Sequence, residues 1–383
     1  MLARRLRELK DHDEPDIPGD SFVRPPPIWR CKYRDIHMIR PARGILILTI
    51  EDDLHALVVQ KQFQDSHGLP CHIVESDRVP GQTGLSWSST GEIAPTLPTR
   101  GGGLVDVRTV DVVWWRRFSH PMQLVDDVGE VARDIITNDC RSSIEGLLLN
   151  EFAGTWISSP QATRLAENKL VQLDHAQRAG FRVPRTLVSQ NPAQIRGFCR
   201  ELGNRAIIKS VKGTTKAGLL TLAVDDRILA CDEMLSLAPA MYQELIGGTR
   251  HIRANCFGDR VHAVQIETDA LDWRPDLTVP MASVELPAEV NSRLLDVLRA
   301  LGLRMGIVDL KLTLAGEPVW LEVNPQGQFL FIEGLIGLEL TSAFCDFLFA
   351  EAAAASAAST AIGRALDPQP PLRGSGAADD QPH

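Results

Sequence analysis

Residues 309–327, DLKLTLAGEPVWLEVNPQG, carry the pattern on which the fold prediction depends. Two β-rich runs flank the turn signal LAGEP, which predicts a hairpin whose side chains alternate between two faces. If residues 315–316 form a two-residue loop, Asp309 lies opposite Glu322. Asn324 then follows on the same face as Glu322. A different loop length would change this register.

Two carboxylates that face each other across a hairpin repel unless a positive charge lies between them. A hard cation resolves this conflict, because Mg²⁺ takes oxygen ligands, typically one or two carboxylates together with substrate phosphates. Asp309, Glu322 and Asn324 are therefore a candidate magnesium site. The alternative is a solvated hairpin whose two acids repel only weakly in water.

The composition of the 383 residues is that of a globular protein, with 44% hydrophobic and 23% charged residues. A chain of this length is long enough for two or three domains with a large core. The net charge of -9 provides no broad basic surface, so nucleic acid is not expected as a partner.

The cysteine spacing, the N-terminus and the longest apolar stretch together predict a cytoplasmic protein. The seven cysteines are scattered and never spaced CxxC, which favours reduced thiols over a disulfide framework or a structural zinc site. The N-terminus is basic but has no apolar core, so it is not a secretory signal. The apolar stretch 329–349 is interrupted by Glu333, Glu339 and Asp346, so no membrane span is predicted.

Strand and helix signals alternate in the first half of the chain, whereas hairpins dominate the second half. This order predicts α/β and α+β regions that flank a ligand cleft. We predict one helix over residues 160–180, ended by a glycine. The predicted segments are an arm, partly disordered, at 1–43, an α/β domain at 44–125, a linker helix and first α+β subdomain at 126–235, a second α+β subdomain at 236–350 and a disordered tail at 351–383.

Two lysines and a glycine-containing segment are candidates for binding phosphate. Lys209 ends the apolar strand AIIKS, and the segment SVKGTTKAG follows it with Gly213 and Gly218. Backbone amides of such a hairpin, together with lysines, can cover phosphates. Lys169 lies on a predicted helix. The alternatives are an ordinary exposed turn and a solvated surface lysine.

The strand MYQELI can present Gln243, Glu244 and Leu245 to an adenine and its ribose, although an exposed edge strand has the same pattern. Arg253 and Arg274 lie on and after a predicted hairpin. Arginine suits phosphate or carboxylate because its planar fork donates two parallel hydrogen bonds, but arginines on hairpins commonly face solvent.

The order of these motifs resembles that of the ATP-grasp superfamily of carboxylate–amine and carboxylate–alcohol ligases. More narrowly, NKLVQLDHAQRAGFRVPRTLVSQNP, HIRANCFGDRVHAVQIET, LDWR and EVNPQGQFLFIEGLIGLELTSAFCDFL are similar to the microviridin-type (graspetide) maturases, which crosslink side chains of a ribosomally made precursor peptide. GILILTIEDD and VDVVWWRRF resemble the pre-grasp domain of that family. The resemblance covers about residues 44–350.

The resemblance implies an ATP-grasp fold, with an N-terminal α/β pre-grasp domain and two α+β subdomains that clasp ATP. It implies ATP and Mg²⁺ as cofactors, a precursor peptide as partner, and a homodimer. The implied roles are phosphate binding by Lys169 and Lys209, adenosine binding by Gln243, Glu244 and Leu245, Mg²⁺ binding by Asp309, Glu322 and Asn324, contact with the transferring phosphoryl group by Arg253, and contact with the peptide by Arg274 and by Arg116 or Arg117.

The implied reaction is phosphorylation of an Asp or Glu side chain of the peptide by ATP. A Ser or Thr hydroxyl, or a Lys amine, then attacks the acyl phosphate. The alternatives are a ligase that adds free amino acids to a carboxylate, as glutathione-synthetase-like and ribosomal-protein-glutamylating relatives do, and a nucleotide-binding scaffold without turnover. One departure from the family pattern is His251, which stands where the family often has an aspartate.

Overall fold

The computed structural model describes residues 44–118, 128–212 and 221–365. The predicted arm at 1–43, residues 119–127, the glycine-containing segment at 213–220 and the tail from 366 lie outside the described residues.

The first part of the chain forms a parallel sheet in which β1 is flanked by β2 and β5, and β6 lies beyond β5. All five residues of β1 are buried, as expected for a parallel strand covered on both faces. Gly68, with φ 65°, ends α1 in the left-handed conformation. The elements are β1 Ile45–Thr49, α1 Leu54–His67, β2 Cys71–Glu75, β3 Thr96–Pro98, β4 Leu104–Asp106, β5 Val112–Trp115, α2 Glu130–Glu151 and β6 Thr155–Ile157.

The middle part forms an antiparallel sheet in the order β7-β10-β8-β9. The single helix predicted at 160–180 is two helices, because the side chain of Asn168 accepts hydrogen bonds from the amides of Leu170 and Val171 and caps a new helix. Lys169 thus becomes the first residue of that helix. The elements are α3 Pro160–Ala166, α4 Lys169–Arg178, β7 Thr186–Ser189, α5 Pro192–Glu201, β8 Ala206–Lys209, β9 Leu222–Ala223, α6 Asp226–Ala230, α7 Asp232–Leu237 and β10 Ala240–Glu244.

The last part forms a five-stranded antiparallel sheet in the order β13-β12-β11-β14-β15. Leu294, Val297 and Leu298 of α8 pack against one face of this sheet. The elements are β11 Arg250–Phe257, β12 Arg260–Glu267, β13 Met281–Val284, α8 Ala288–Ala300, β14 Met305–Leu312, β15 Pro318–Asn324, α9 Leu330–Ile336 and α10 Leu340–Ala365.

The sheets divide the chain differently from the predicted segments. β6 joins the first sheet although it follows the predicted boundary at 125. β10 pairs with β7 and β8, so the predicted boundary at 235 separates it from its own sheet. Local sequence signals do not reveal which sheet a strand joins, because pairing partners are distant in the chain.

The last helix, α10, continues through Ala365, which lies within the segment predicted as a disordered tail. Its window Leu340–Ala357 is apolar and long enough to cross a membrane by length and composition alone. Phe344, Leu348 and Ala352 nevertheless pack in the core beside the first sheet, as the residues of a core helix do. This window is weak evidence for a membrane span.

The hairpin of β14 and β15 places Asp309 directly opposite Glu322, as predicted. The predicted two-residue loop is wrong, because Thr313 pairs with Glu317 and leaves a three-residue loop between them. Such a loop alone would set Leu321 opposite Asp309. A bulge restores the register, since Leu310 pairs with Trp320 while Asp309 pairs with Glu322.

Candidate active site

A cavity of about 110 Å³ lies between the second and third sheets. The bulge in β15 gives this cavity its acidic wall, because Leu321 and Glu322 both line it while Trp320 and Val323 both pack in the core. In a regular strand Glu322 would turn to the same face as Trp320, into the core. The bulge therefore exposes the carboxylate to the cavity.

Charged side chains of both signs surround this cavity. Lys169 Nζ lies 3.1 Å from Glu322 Oε2. Arg253 Nη1 lies 2.9 Å from each carboxylate oxygen of Asp309. The charged residues in its wall are Lys169, Lys209, Asp272, Arg274, Asp309 and Glu322. Charges of both signs thus line this cavity, and the lysine and arginine donors among them are of the kind that binds phosphate.

A buried amide holds Lys169 next to Glu322. Gln172 Oε1 accepts a hydrogen bond from the amide of Val323 at 2.9 Å, and Gln172 Nε2 donates to the Val323 carbonyl at 2.9 Å. β15 is the edge strand of its sheet, so its outer backbone groups need such a partner. Gln172 thereby fixes α4, whose first residue is Lys169, along β15.

The electrostatic environment shifts the pKa values of the charged wall. Burial lowers the pKa of Lys209 to about 8, although Glu322 acts in the opposite direction. Burial opposes ionisation of Glu322, but Lys169 and Lys209 outweigh it and hold the pKa of Glu322 below its usual range. Burial raises the pKa of Asp309 despite its contact with Arg253.

Two carboxylates and one amide side chain fit the oxygen ligands that Mg²⁺ takes. Glu322 and Asn324 lie two residues apart on β15, next to Asp309 on β14. Asn324 is exposed, and its Oδ1 accepts a hydrogen bond from the amide of Gln326 at 3.1 Å. No group of three His, Cys, Asp or Glu side chains gathers at a possible metal site in the described part of the chain. The amide oxygen and nucleotide phosphates would have to complete the shell.

Arg253 lies behind Asp309 and is held on several sides. Its guanidinium is 5.6 Å from the ring centroids of both Trp273 and Phe331, and Nη2 donates to the Gln328 carbonyl at 3.0 Å. The aromatic rings and the carboxylate leave the guanidinium little freedom to move. It is therefore a rigid cation beside the candidate metal ligands.

Arg274, predicted to contact the peptide, lines the same cavity, and its Nε and Nη2 donate hydrogen bonds to the two carboxylate oxygens of Asp272. Asp272 also accepts a hydrogen bond from the amide of Thr221, at 3.4 Å, and so links the second and third sheets. The prediction from sequence missed Asp272. Its position in LDWR, two residues before Arg274, is the signal that could have found it.

Two of the predicted adenosine-binding residues, Gln243 and Glu244, end β10, and Leu245 follows directly. β10 lies between β7 and β8, so it is not the exposed edge strand of the alternative interpretation. Gln243 is buried and donates to Thr186 Oγ1 at 2.9 Å. Arg182 Nη2 lies 2.8 Å from Glu244 Oε1. None of Gln243, Glu244 and Leu245 is among the described residues that line the cavity.

The two arginines that follow β5, Arg116 and Arg117, differ in their exposure to solvent. Arg116 is fully buried, with 1% of its surface exposed. The side chain of Arg117 is 37% exposed and lines a separate groove of about 460 Å³. Phe331 also lines this groove and stacks on Trp273 of the cavity wall. Of the two, only Arg117 can meet a ligand from solvent.

His251, the departure from the family pattern, is buried beside Lys311. Lys311 Nζ lies 3.0 Å from His251 Nε2. Burial lowers the pKa of His251 to about 4, and Lys311 contributes to the same shift. The imidazole is therefore neutral near pH 7 and accepts the hydrogen bond of the ammonium. An aspartate at this position would supply a negative charge that this chain lacks.

Comparison with solved structures supports the predicted fold. The macrocyclase MdnC from Microcystis aeruginosa, bound with its precursor peptide MdnA, is 24% identical with a TM-score of 0.72 over 80% of this chain and 99% of MdnC. An ATP-grasp ligase associated with ribosomally made peptides from Chryseobacterium gregarium, in complex with ADP and a leader and core peptide, is 21% identical with a TM-score of 0.71 over 81% of this chain and 97% of its own.

The ATP-grasp ligase PsnB, complexed with a minimal precursor, Mg and ADP, is 25% identical with a TM-score of 0.67 over 80% of this chain and 97% of its own. No protein-family model and no curated protein matches the sequence. The predicted α+β ATP-grasp fold is confirmed, and so is its likeness to the ligases that act on ribosomally made peptides.

Proposed function

From the ATP-grasp fold of this chain, we propose that the protein is an ATP-dependent, ADP-forming ligase that crosslinks side chains of a ribosomally made precursor peptide. The observation that carries this proposal is the cavity in which Asp309 and Glu322 face each other among Lys169, Lys209 and Arg274. The similar structures, which hold precursor peptides, ADP and Mg, support it.

The chemistry begins with a carboxylate, which is a poor electrophile because hydroxide is a poor leaving group. Transfer of the γ-phosphoryl group of ATP to an Asp or Glu side chain gives an acyl phosphate and ADP. A Ser or Thr hydroxyl, or a Lys amine, of the peptide then attacks the acyl carbon. Phosphate leaves, the attacking group loses a proton, and an ester or amide bond remains.

The protein contributes position and charge to this phosphoryl transfer. Lys169 and Lys209 would bind phosphate oxygens, and Arg253 would stabilise the charge of the phosphoryl group in transfer. Asp309, Glu322 and Asn324 would hold Mg²⁺, which supplies further neutralisation of phosphate charge when bound. Gln243, Glu244 and Leu245 would hold the adenosine, and Arg274 and Arg117 the peptide.

The enzyme would act in the cytoplasm as a homodimer, apart from nucleic acid and membranes. Its substrate peptide would carry Ser or Thr residues together with Asp or Glu residues.

Mass spectrometry of a precursor peptide incubated with enzyme, ATP and Mg²⁺ tests this function. We expect one ADP released and the mass of one water lost from the peptide for each link formed. An increase in mass equal to an added amino acid would instead identify a ligase for free amino acids. ATP binding without any ADP formed in the presence of peptide would identify a non-catalytic scaffold.

A further inference from the structure

A network of buried polar side chains connects the first sheet to the turn that follows the candidate metal ligands. Asp53, Arg116 and His55 are all buried, at the end of β5 and the start of α1. Asp53 Oδ2 accepts hydrogen bonds from Arg116 Nε at 3.1 Å and from Thr49 Oγ1 at 2.7 Å. These contacts fix the orientation of the Arg116 guanidinium inside the protein.

The network forms hydrogen bonds with both ends of the turn at residues 326–330. Arg116 Nη1 donates to the carbonyl of Gln326, 210 residues away in sequence, and Trp114 Nε1 donates to Gln326 Oε1 at 3.0 Å. At the other end, His55 Nε2 accepts hydrogen bonds from the amides of Phe329 and Leu330 at 3.0 and 3.2 Å. Burial lowers the pKa of His55 to about 4, so this nitrogen remains an acceptor near pH 7.

The turn at 326–330 contacts two residues of the candidate site, Asn324 and Arg253. The Gln326 amide donates to Asn324 Oδ1 at 3.1 Å, and the Gln328 carbonyl accepts from Arg253, which binds Asp309. Gly327 allows the turn to pack closely on β14, because a Cβ there would lie 2.4 Å from Cγ1 of Ile307. A shift of the turn would therefore move both Asn324 and Arg253.

The energetics of burial suggest why such a network is present. A buried ion pair is weak evidence for stability, because desolvation of both charges offsets their attraction, and an apolar pair of similar volume often serves folding as well. The hydrogen bonds of Arg116 and His55 do what an apolar pair cannot, because their direction fixes the position of the backbone at residues 326–330.

We propose that Asp53, Arg116 and His55 are positioning residues that set the geometry of the metal site from the first sheet. None of them touches the reacting atoms. They act through the turn at 326–330, as groups around a metal site act when they orient its ligands. This inference rests on the proposed function only in taking Asp309, Glu322 and Asn324 as the metal ligands.

Mn²⁺ binding in the presence of ADP tests the inference without any peptide. The free-ion electron paramagnetic resonance signal reports the concentration of Mn²⁺ that half-saturates the protein. The first variant is Asp53→Asn/Arg116→Gln, which removes both charges together and leaves no single buried charge. The second is Trp114→Phe, which puts a smaller aromatic ring at this position and removes one hydrogen bond to Gln326.

We expect the half-saturating Mn²⁺ concentration to rise by about 10- to 100-fold in the double variant and by about threefold in Trp114→Phe. ADP affinity without Mn²⁺ should stay at the wild-type value, because the candidate nucleotide residues lie outside the turn. The control, Val74→Ala, loosens the core on the other face of the same sheet, in a cluster that contains none of the network residues, and it should bind Mn²⁺ as the wild type does.

An unchanged half-saturating concentration in the folded variants, or an equal rise in Val74→Ala, would overturn the inference. If the double variant fails to fold, Trp114→Phe decides the question alone. The proposed function fails separately: a wild-type protein that binds ADP and Mn²⁺ but joins no peptide side chains refutes the ligase and still reports on the network.

Discussion

Glu322 stands directly across the hairpin from Asp309, although a three-residue loop between their strands would by itself pair Asp309 with Leu321. The bulge in β15 offsets the loop by one residue. It also turns Leu321 and Glu322 to the cavity while Trp320 and Val323 stay in the core. The acidic pair of the candidate site therefore exists because of an irregularity in the strand.

Glu322→Gln separates the chemical role of this carboxylate from its role in folding. The ion pair with Lys169 is partly exposed, so its loss should lower the free energy of unfolding by about 1 kcal/mol or less. Turnover should fall by orders of magnitude, because charge stabilisation by a bound metal is worth several kcal/mol. Urea denaturation and ADP release measure the two effects, and near-normal turnover would remove Glu322 from the metal site.

Lys169→Met tests the phosphate-binding role at the start of α4. We expect ADP affinity without metal to fall by about tenfold, the value of a charge-assisted hydrogen bond. Lys61→Met is a matched control, since this exposed lysine pairs with Asp65 on the surface of α1. Isothermal titration calorimetry measures both affinities, and equal values for the two variants would argue against a phosphate contact at Lys169.

The lowered pKa of Lys209 predicts that nucleotide binding depends on pH. Its pKa of about 8 means that the ammonium is charged at pH 7 and is lost as the pH rises through about 8. ADP affinity without metal should therefore fall above pH 8, by up to about tenfold per pH unit. Lys209→Arg keeps its charge and should give a flat profile between pH 7 and 9. A flat wild-type profile would contradict the role of Lys209.

Gln172→Ala should destabilise the protein, because it leaves the amide and carbonyl of Val323 without their side-chain partner. We expect the free energy of unfolding to fall by about 1–3 kcal/mol. Gln177→Ala, at an exposed position of the same helix, should change it by about 0.5 kcal/mol at most. Denaturation with urea measures both, and similar values in the two variants would show that the buried amide contributes nothing specific.

Arg117→Ala tests the groove as part of the peptide site. The peptide concentration at half-maximal ADP release should rise, because the exposed guanidinium is lost, while ADP affinity should not change. Arg108→Ala is the control, since this exposed arginine of the same region binds Asp106 at the surface. If both variants need the same peptide concentration as the wild type, Arg117 does not bind the peptide.

The sequence by itself determined several of the strands and the residue types of the candidate site, but not every element boundary. Local signals predicted the strand that ends at Lys209, as the structure has it. They also predicted that acids and an amide would gather on the last hairpin, because alternation along a strand is a local property of the backbone. The order of these motifs indicated the ATP-grasp fold.

Tertiary structure decided what depends on residues far apart in the chain. The bulge follows from the packing of Trp320 and Val323 on one face, which no local pattern encodes. Arg116 and Arg117 are identical in type and adjacent in sequence, yet one is buried against a turn 210 residues away and the other lines a groove. Such differences arise from which surfaces meet when the sheets pack, because burial and pairing are set by distant neighbours and not by the residue itself.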